Sequence, residues 1–332
     1  MRASTRASAN SARISAADRM PLRRSGSEAP SSKASTKALS WLVITFLLCT
    51  FVPWLWQIGP LSISPYRLVL LVSVVPCLFL WMTGRAGALR AADIAICLYC
   101  LFCGLSMVAA YGASNALEPA GTTVVETAGA YFLGRVFIRN ADQFRAMARL
   151  LFIIVAVLCP FAIMEAILNY NILLSAFSKV FPSHVLAITD PRWGLRRVQS
   201  VFEHPILFGV STGAILALVH LVVMEKASPA ARWCASGAVL ATAGLSMSSG
   251  PLAALTVQLM LLSWNWLLRG NAMRWRILWL LAMLGYILIS LVSNQTVPEF
   301  LLTHFSFDPA SAYYRVLIWH FGSQSPALRR RF

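Results

Sequence analysis

Charged residues are scarce in this chain of 332 amino acids. Asp, Glu, Lys and Arg make up 12% of the sequence, and apolar residues make up 58%. Soluble domains carry about 25% charged and about 45–50% apolar residues. The composition therefore excludes a soluble globular domain and predicts an all-α fold of polytopic transmembrane helices.

Acidic residues are the rarer of the two charged kinds. The chain has 12 Asp and Glu against 28 Lys and Arg, which gives a formal net charge of +16. A basic balance can indicate nucleic-acid binding. Here the basic residues are divided among short loops between apolar runs and form no basic face. We therefore interpret them as charges that set membrane topology and expect no nucleic-acid partner.

Several motifs of soluble enzymes are also missing. The sequence has no Gly-rich phosphate loop, no His/Glu set with metal-ligand spacing and no Gly-x-Ser-x-Gly turn. Cys97, Cys100 and Cys103 are spaced like iron–sulfur ligands, but they fall within one apolar run, where cysteine behaves as a small hydrophobic residue. We expect no metal and no cofactor.

Apolar runs of about 20 residues can cross a bilayer as helices. The sequence predicts nine such spans, at 40–57, 66–83, 92–111, 119–135, 150–168, 205–224, 233–248, 251–268 and 276–293. The seventh and eighth spans are separated only by a tight turn, Ser246-Met-Ser-Ser-Gly-Pro251.

These spans define three regions. Residues 1–38 are rich in Ser, Ala and Arg and are predicted to be a disordered basic cytoplasmic tail, although this composition also resembles an organellar transit peptide. Residues 39–293 form the transmembrane domain, with a long extracytoplasmic loop at 169–204. Residues 294–332 form a second extracytoplasmic segment.

Loop charge predicts the orientation of the chain. Most Lys and Arg residues fall in the N-terminal tail and in alternate loops, and the loops between these carry few. Because cytoplasmic loops are enriched in positive charge, the N-terminus is predicted to be inside. The segments 169–204 and 294–332 are the exceptions, since both are predicted to lie outside and yet contain arginines.

The loop before the sixth span contains the strongest candidate site. Arg192, Arg196 and Arg197 are followed by Glu203 and His204, directly before an apolar run. Guanidinium groups match phosphate bidentately, and Glu or His can act as a general base. The alternative is an interfacial loop whose arginines contact lipid headgroups.

Three further features lie outside this loop. The segment Tyr313–His320 places Arg315 among aromatic residues, which is also typical of an interfacial amphipathic helix. Glu126 and Glu165 lie within apolar spans, where each could pair with a helix-end arginine or act as protonated structural glue. Asp93, close to a span end, is assigned no role.

Four stretches, in order, resemble the O-antigen ligase/polymerase superfamily of bacterial membrane proteins. They match a helix ending in Tyr-x-x-x-Arg, an Arg-x-x-Ser-x-Phe-x-His-Pro signature, a Leu-Ser-x-Ser-Ser-Gly turn and an outside Arg-x-x-Ile-Trp segment. In this chain they are Glu126–Arg135, Arg197–Gly209, Leu245–Leu252 and Ala312–Trp319.

The resemblance implies a glycosyltransferase that works without metal and uses a glycan on a polyprenyl pyrophosphate as donor. It implies that Arg197 and Arg315, with Arg196 assisting or substituting, hold the pyrophosphate. Glu203 and His204 are the catalytic candidates. The implied partners are the lipid-linked glycan, a glycan or lipid acceptor, membrane lipid and a polysaccharide assembly complex. The implied location is the bacterial inner membrane, and the product is an O-antigen or exopolysaccharide.

The match departs from the family after residue 322. Family members continue into a His-bearing outside segment and further helices, whereas this sequence ends in Ser325–Phe332. From this we expect a C-terminally truncated chain that inserts in membranes without catalysing transfer. The rival predictions are a transporter or flippase for an anionic glycolipid, and an inactive member of the family.

Overall fold

A computed structural model describes residues 38–58, 61–304 and 309–324 of the protein. The predicted tail at 1–38, apart from Ala38, and the final residues 325–332 lie outside this described part. The described chain is mostly helical. Its helices are α1 (Trp41–Cys49), α2 (Pro65–Met82), α3 (Ala91–Tyr111), α4 (Ala113–Val124), α5 (Ala130–Phe137), α6 (Ala141–Leu168), α7 (Ile172–Ser178), α8 (Pro205–Gly213), α9 (Leu216–Leu218), α10 (Pro229–Gly244), α11 (Ser249–Leu267), α12 (Arg274–Val292), α13 (Val297–His304) and α14 (Pro309–Gln324).

Two π-helical turns interrupt otherwise continuous helices. Val125–Gly129 joins α4 to α5, and Val219–Val223 continues α9. A π turn inserts a residue into the helical ladder and so rotates the side chains that follow it. The first of these turns carries Glu126.

Five helical segments in the described chain are long and apolar enough to cross a membrane. They are Pro65–Met82, Ala91–Tyr111, Ala141–Leu168, Pro205–Val223 and Arg274–Val292. Each overlaps one of the nine predicted spans, although Ala141–Leu168 begins well before the predicted span 150–168 and includes residues that were predicted to be a loop. The other four predicted spans are not confirmed as helices of this kind.

The first predicted span, 40–57, differs most from the structure. Its helix α1 has nine residues, or about 14 Å at 1.5 Å per residue, well short of a bilayer core. The chain then forms an antiparallel hairpin of β1 (Trp56–Ile58) and β2 (Leu61–Ile63). The all-α prediction therefore missed a short β element.

Contacts between loops agree with the predicted division into two sides. The segment after α1 pairs with the 169–204 loop, since Leu55 N donates to Pro182 O at 2.8 Å and His184 N to Pro53 O at 3.1 Å. Both were predicted to be outside or at an outside helix end. At the other end of the helices, Arg145 contacts Glu225 at 3.1 Å, and both were predicted to be inside. The orientation itself stays a prediction.

Asp93 was assigned no role from the sequence, but it is fully buried at the start of α3. It accepts hydrogen bonds from Tyr131 Oη and Arg135 Nε, the two residues of the Tyr-x-x-x-Arg motif, and from Trp81 Nε1. Arg135 also donates to the carbonyl oxygens of Ala86 and Ala88, at 2.7 and 2.8 Å. The motif therefore fixes α2, α3 and α5 to one another.

Candidate functional site

The loop before α8 is held in place by one buried carboxylate. Glu165 of α6 accepts from the backbone N–H of Gln199 at 3.2 Å and of Ser200 at 3.0 Å. Ser200 has a positive φ of 52°, and Asn171 Nδ2 donates to its carbonyl at 2.7 Å. These contacts fit a structural role for Glu165, which was one of its two predicted roles, rather than an ion pair with a helix-end arginine.

The turn between α10 and α11 is the surface that the arginines of the candidate site contact. Residues 245–248 connect the two helices. The sequence predicted a tight connection over Ser246–Pro251, but Gly250 and Pro251 lie in the first turn of α11. Val198 N donates to Leu245 O at 3.0 Å and so attaches the arginine loop to this turn. Ser248 is the N-cap residue of α11 and Ser249 is its first helical residue.

Gly209 lets α8 pack directly on this turn. A Cβ at Gly209 would overlap Ser246 Oγ and would lie 2.7 Å from Pro251 Cβ. Such distances are too short for any side chain, so glycine is required by packing here. The glycine in the His-Pro signature thus has a geometric purpose, namely to bring the turn against α8.

Three arginines converge on consecutive residues of the turn. Arg192 Nη1 donates to Met247 O at 2.8 Å, Arg197 Nη2 to Ser248 Oγ at 2.8 Å and Arg315 Nη2 to Ser249 Oγ at 3.0 Å. We call these three residues the arginine cluster. All three are half-buried. The cluster surrounds the N-terminus of the 19-residue helix α11, where the helix dipole also favours an anion.

No family model, curated protein or solved structure matches this chain.

The chemistry of the cluster therefore rests on its own geometry. The three described bonds go to one carbonyl and two hydroxyl oxygens, all neutral. A guanidinium has five N–H donors in a planar fork, and each of these bonds fixes one arm of that fork against the turn. Several oriented guanidinium groups at a helix N-terminus suit a phosphate or pyrophosphate.

Arg196 was also predicted to hold the phosphate. Its described contact is not with the turn that the arginine cluster contacts. Its Nη1 donates to Asn169 O at 2.7 Å. Asn169 is the left-handed C-cap residue of α6, where a cation is favoured by the helix dipole. The neighbouring residues Arg196 and Arg197 thus contact different elements.

Glu203 and His204 differ in what they can do as a base. His204 is the N-cap residue of α8, and its Nδ1 accepts from Ile206 N at 3.2 Å. Nδ1 must therefore be unprotonated, and in the neutral ring Nε2 carries the proton. Burial lowers the pKa of His204, and Arg197 lowers it further. His204 is thus a neutral hydrogen-bond donor, and the exposed Glu203 carboxylate is the better proton acceptor.

Glu126 pairs with a helix-end arginine, which was one of its two predicted roles. Its Oε1 lies 2.7 Å from Arg67 Nε, at the start of α2, and 2.6 Å from Tyr66 Oη. The sequence showed Arg67 only as an isolated charge at a helix start. The ion pair could be found from the sequence only by supposing that two intramembrane charges compensate each other.

Gly209→Ala is expected to destabilise the protein, because the added methyl group must displace Ser246 or Pro251. Overpacking of this kind costs about 1–3 kcal/mol. The matched control is Gly237→Ala in α10, where an added Cβ meets nothing within 4 Å and where alanine stabilises a helix by roughly 0.4–1 kcal/mol. Thermal unfolding of both variants in detergent checks this. Equal midpoints for the two variants would show that the close approach of α8 to the turn is not maintained.

Proposed function

We propose that this protein is a glycosyltransferase of the bacterial inner membrane. It polymerises or transfers an O-antigen or exopolysaccharide from a polyprenyl-pyrophosphate carrier at the outer face of that membrane. The observation that supports this most is the convergence of Arg197, Arg315 and the serine turn. These come from three separate stretches of the family resemblance, and the structure places them in contact.

The proposed reaction is a single displacement at the anomeric carbon. Glu203 accepts the proton of the acceptor hydroxyl as its oxygen bonds to that carbon, and the bond from carbon to the pyrophosphate oxygen breaks. The leaving pyrophosphate gains charge in this step. The arginine cluster and the N-terminus of α11 stabilise that charge because they are already oriented before the reaction.

The test is a host that makes the lipid-linked oligosaccharide and has its own polymerase and ligase deleted. The full chain should lengthen the glycan or move it to a new acceptor, as seen by gel electrophoresis and mass spectrometry, and either result would show that the expectation of an inactive, truncated chain is wrong. Translocation of the glycan without a change in its length would favour the rival function, a transporter or flippase. Absence of both results, at confirmed membrane abundance, would contradict the proposal.

The proposed outer location makes a prediction about topology. A cysteine replacing the fully exposed Ile188, in a background without the seven native cysteines, should react with an impermeant thiol reagent in intact cells. A cysteine replacing the exposed Ala230, at the start of α10, should react only after lysis, because the loop before α10 is predicted to be cytoplasmic. Labelling in the opposite order would place the arginine cluster on the cytoplasmic side.

A further inference from the structure

A second polar site lies next to Glu203. It is a cavity of about 450 Å³, within the range of roughly 300–1,000 Å³ that small-molecule sites occupy. Its walls come from the start of α2, the first π turn, the 169–204 loop and the residues just before α8. The polar side chains that line it include Ser64, Arg67, Glu126, His184 and Glu203. The arginine cluster is not part of it.

Arg67 and Glu126 form an ion pair in this cavity that occupies only one of the two carboxylate oxygens. Both hydrogen bonds to Glu126, from Tyr66 and Arg67, go to the same oxygen, Oε1. The Oε2 atom has no hydrogen-bond partner among the described residues. Arg67 is held in turn by a bond from its Nη1 to Ser62 O at 2.9 Å. A carboxylate oxygen oriented in this way can accept a hydrogen bond from a ligand.

Ser64 gives an independent sign of a ligand. Its side chain lines the cavity and is only 2% exposed, and the contact of its Oγ with the Tyr66 hydroxyl falls short of a well-formed hydrogen bond. Burying a hydroxyl without a well-formed hydrogen bond is unfavourable. A hydroxyl-bearing ligand in the cavity would remove this cost.

The charges in the cavity limit what can bind. Glu126 and Glu203 are two carboxylates, and Arg67 is the one permanent cation among the side chains that line it. Burial lowers the pKa of His184 below its ordinary value, so its imidazole is neutral at pH 7. The net charge is therefore negative, and an anionic ligand is disfavoured. Pyrophosphate suits the arginine cluster, and this cavity requires a ligand of different chemistry.

A pyranose without an acidic group has that chemistry. Adjacent sugar hydroxyls donate to carboxylate oxygens and accept from guanidinium, imidazole and serine hydroxyl groups. Phe46, Tyr66 and Phe202 are also in the lining and offer apolar surface to the C–H face of a ring. We propose that this cavity binds a non-anionic sugar through Arg67, Glu126 and Glu203, and that this sugar is the acceptor end of the glycan. The second part rests on the proposed function.

The position of Glu203 connects the two sites. This residue lines the cavity and is six residues from Arg197 in the same loop. A sugar in the cavity would bring a hydroxyl to the Glu203 carboxylate. One carboxylate can then bind the acceptor and remove its proton.

The experiment measures sugar binding without any reaction. Purified full chain in lipid nanodiscs is titrated with methyl glycosides of glucose, galactose, mannose and N-acetylglucosamine, and with methyl glucuronide, by saturation-transfer NMR. At least one neutral glycoside should bind, and it should bind more tightly than the glucuronide. Glu203→Gln and Glu126→Gln should each weaken it about tenfold or more, because a charge-assisted hydrogen bond is lost.

Two control variants separate the possible causes. Glu225→Gln removes an exposed carboxylate outside the cavity and should leave binding unchanged. Arg197→Lys should also leave it unchanged, although it should reduce transfer roughly ten- to hundredfold. Since Glu126 supports an ion pair, its variant is compared only if its unfolding midpoint stays near that of the unmodified protein, and the exposed Glu203 provides the second test.

Three results would overturn the inference: no neutral glycoside binds, both cavity variants bind as well as the unmodified protein, or the glucuronide binds at least as tightly. These failures are distinct from failure of the proposed function. Sugar binding lost in the cavity variants, with no glycan transfer by the unmodified chain, would retain the cavity as a sugar site and reject the enzyme. Glycan transfer by the unmodified chain, with glycoside binding unaffected by the cavity variants, would retain the enzyme and reject the cavity as a sugar site.

Discussion

Arg197→Lys is expected to reduce glycan transfer nearly as much as Arg197→Ala. The Arg197 guanidinium is oriented by its bond to Ser248 Oγ at 2.8 Å, and the planar fork of an arginine matches phosphate bidentately. Lysine is a point charge on a flexible stem and cannot reproduce this geometry. A lost charge-assisted bond is worth about 1.5–3 kcal/mol, or roughly ten- to hundredfold in rate if it forms in the transition state.

The neighbouring arginine makes this prediction specific. Arg196→Lys should retain much more activity, because a single bond to Asn169 O at 2.7 Å can also be made by an ammonium group. Arg145→Lys, in an exposed ion pair with Asp142 and Glu225, is the control for a general loss of arginine. Rates are measured at equal membrane abundance. Comparable rates for the two lysine variants at 196 and 197 would contradict the assignment of Arg197 to the pyrophosphate.

Glu165→Ala is expected to have the largest effect on stability. The side chain of Glu165 is buried, and its removal leaves the N–H groups of Gln199 and Ser200 without their acceptor. An unsatisfied buried donor costs about 1–3 kcal/mol, so the loss of two is severe. Glu165→Gln keeps only one acceptor oxygen and should fall between Glu165→Ala and the unmodified protein.

The same change should release the arginine loop. Trypsin cleaves after arginine, and the 192–197 stretch should be cut faster in Glu165→Ala than in the unmodified protein. Glu225→Ala, which removes an exposed carboxylate, is the control. The readouts are the unfolding midpoint in detergent and the rate of appearance of the two fragments. If cleavage at 192–197 is as slow in Glu165→Ala as in the control, Glu165 does not hold this loop.

The candidate site was partly predictable because its arginines are exceptional in the sequence. Arginines in loops predicted to be outside conflict with the usual charge bias. The sequence therefore singled out Arg192, Arg196, Arg197 and Arg315, without distinguishing Arg196 from the others. The common contact surface of the other three could not be predicted. The serines of the turn at 246–249 were interpreted as a tight connection and as part of the family resemblance, and hydroxyl groups that orient a distant guanidinium leave no periodic signal in a sequence.

Predictions of membrane spans succeeded where a helix is both long and strongly apolar, since α11 has 19 residues, as α12 has, and is still not among the five. The runs that became α2, α3, α6 and α12 are long and apolar throughout, so hydropathy sufficed. The run at 40–57 failed because hydropathy does not distinguish an apolar helix from an apolar hairpin. An apolar helix and an apolar hairpin can have the same run of Trp, Leu and Ile. Here the chain after α1 is extended and pairs with the 169–204 loop.

Asp93, Glu126 and Glu165 show the same limit for charges inside apolar runs. Sequence alone indicated that intramembrane carboxylates need compensation, because a charge in lipid is costly. The identity of the partner depends on which helices are adjacent, and so it was decided by packing. Glu126 pairs with an arginine, and Glu165 accepts hydrogen bonds from two backbone N–H groups. Asp93 accepts hydrogen bonds from a tyrosine, an arginine and a tryptophan.

Composition by itself predicted apolar helices long enough to cross a membrane, since apolar content and length are properties of single segments, and five such helices occur in the described chain. Loop charge also pointed to arginines as candidates for binding an anion. Only the tertiary structure decided that Arg192, Arg197 and Arg315 lie on one turn, that Arg196 lies elsewhere, and that Glu203 lines a separate polar cavity. The physical reason is that close approach of α8 to α11 at Gly209, and the loop geometry held by Glu165, depend on contacts between residues distant in sequence.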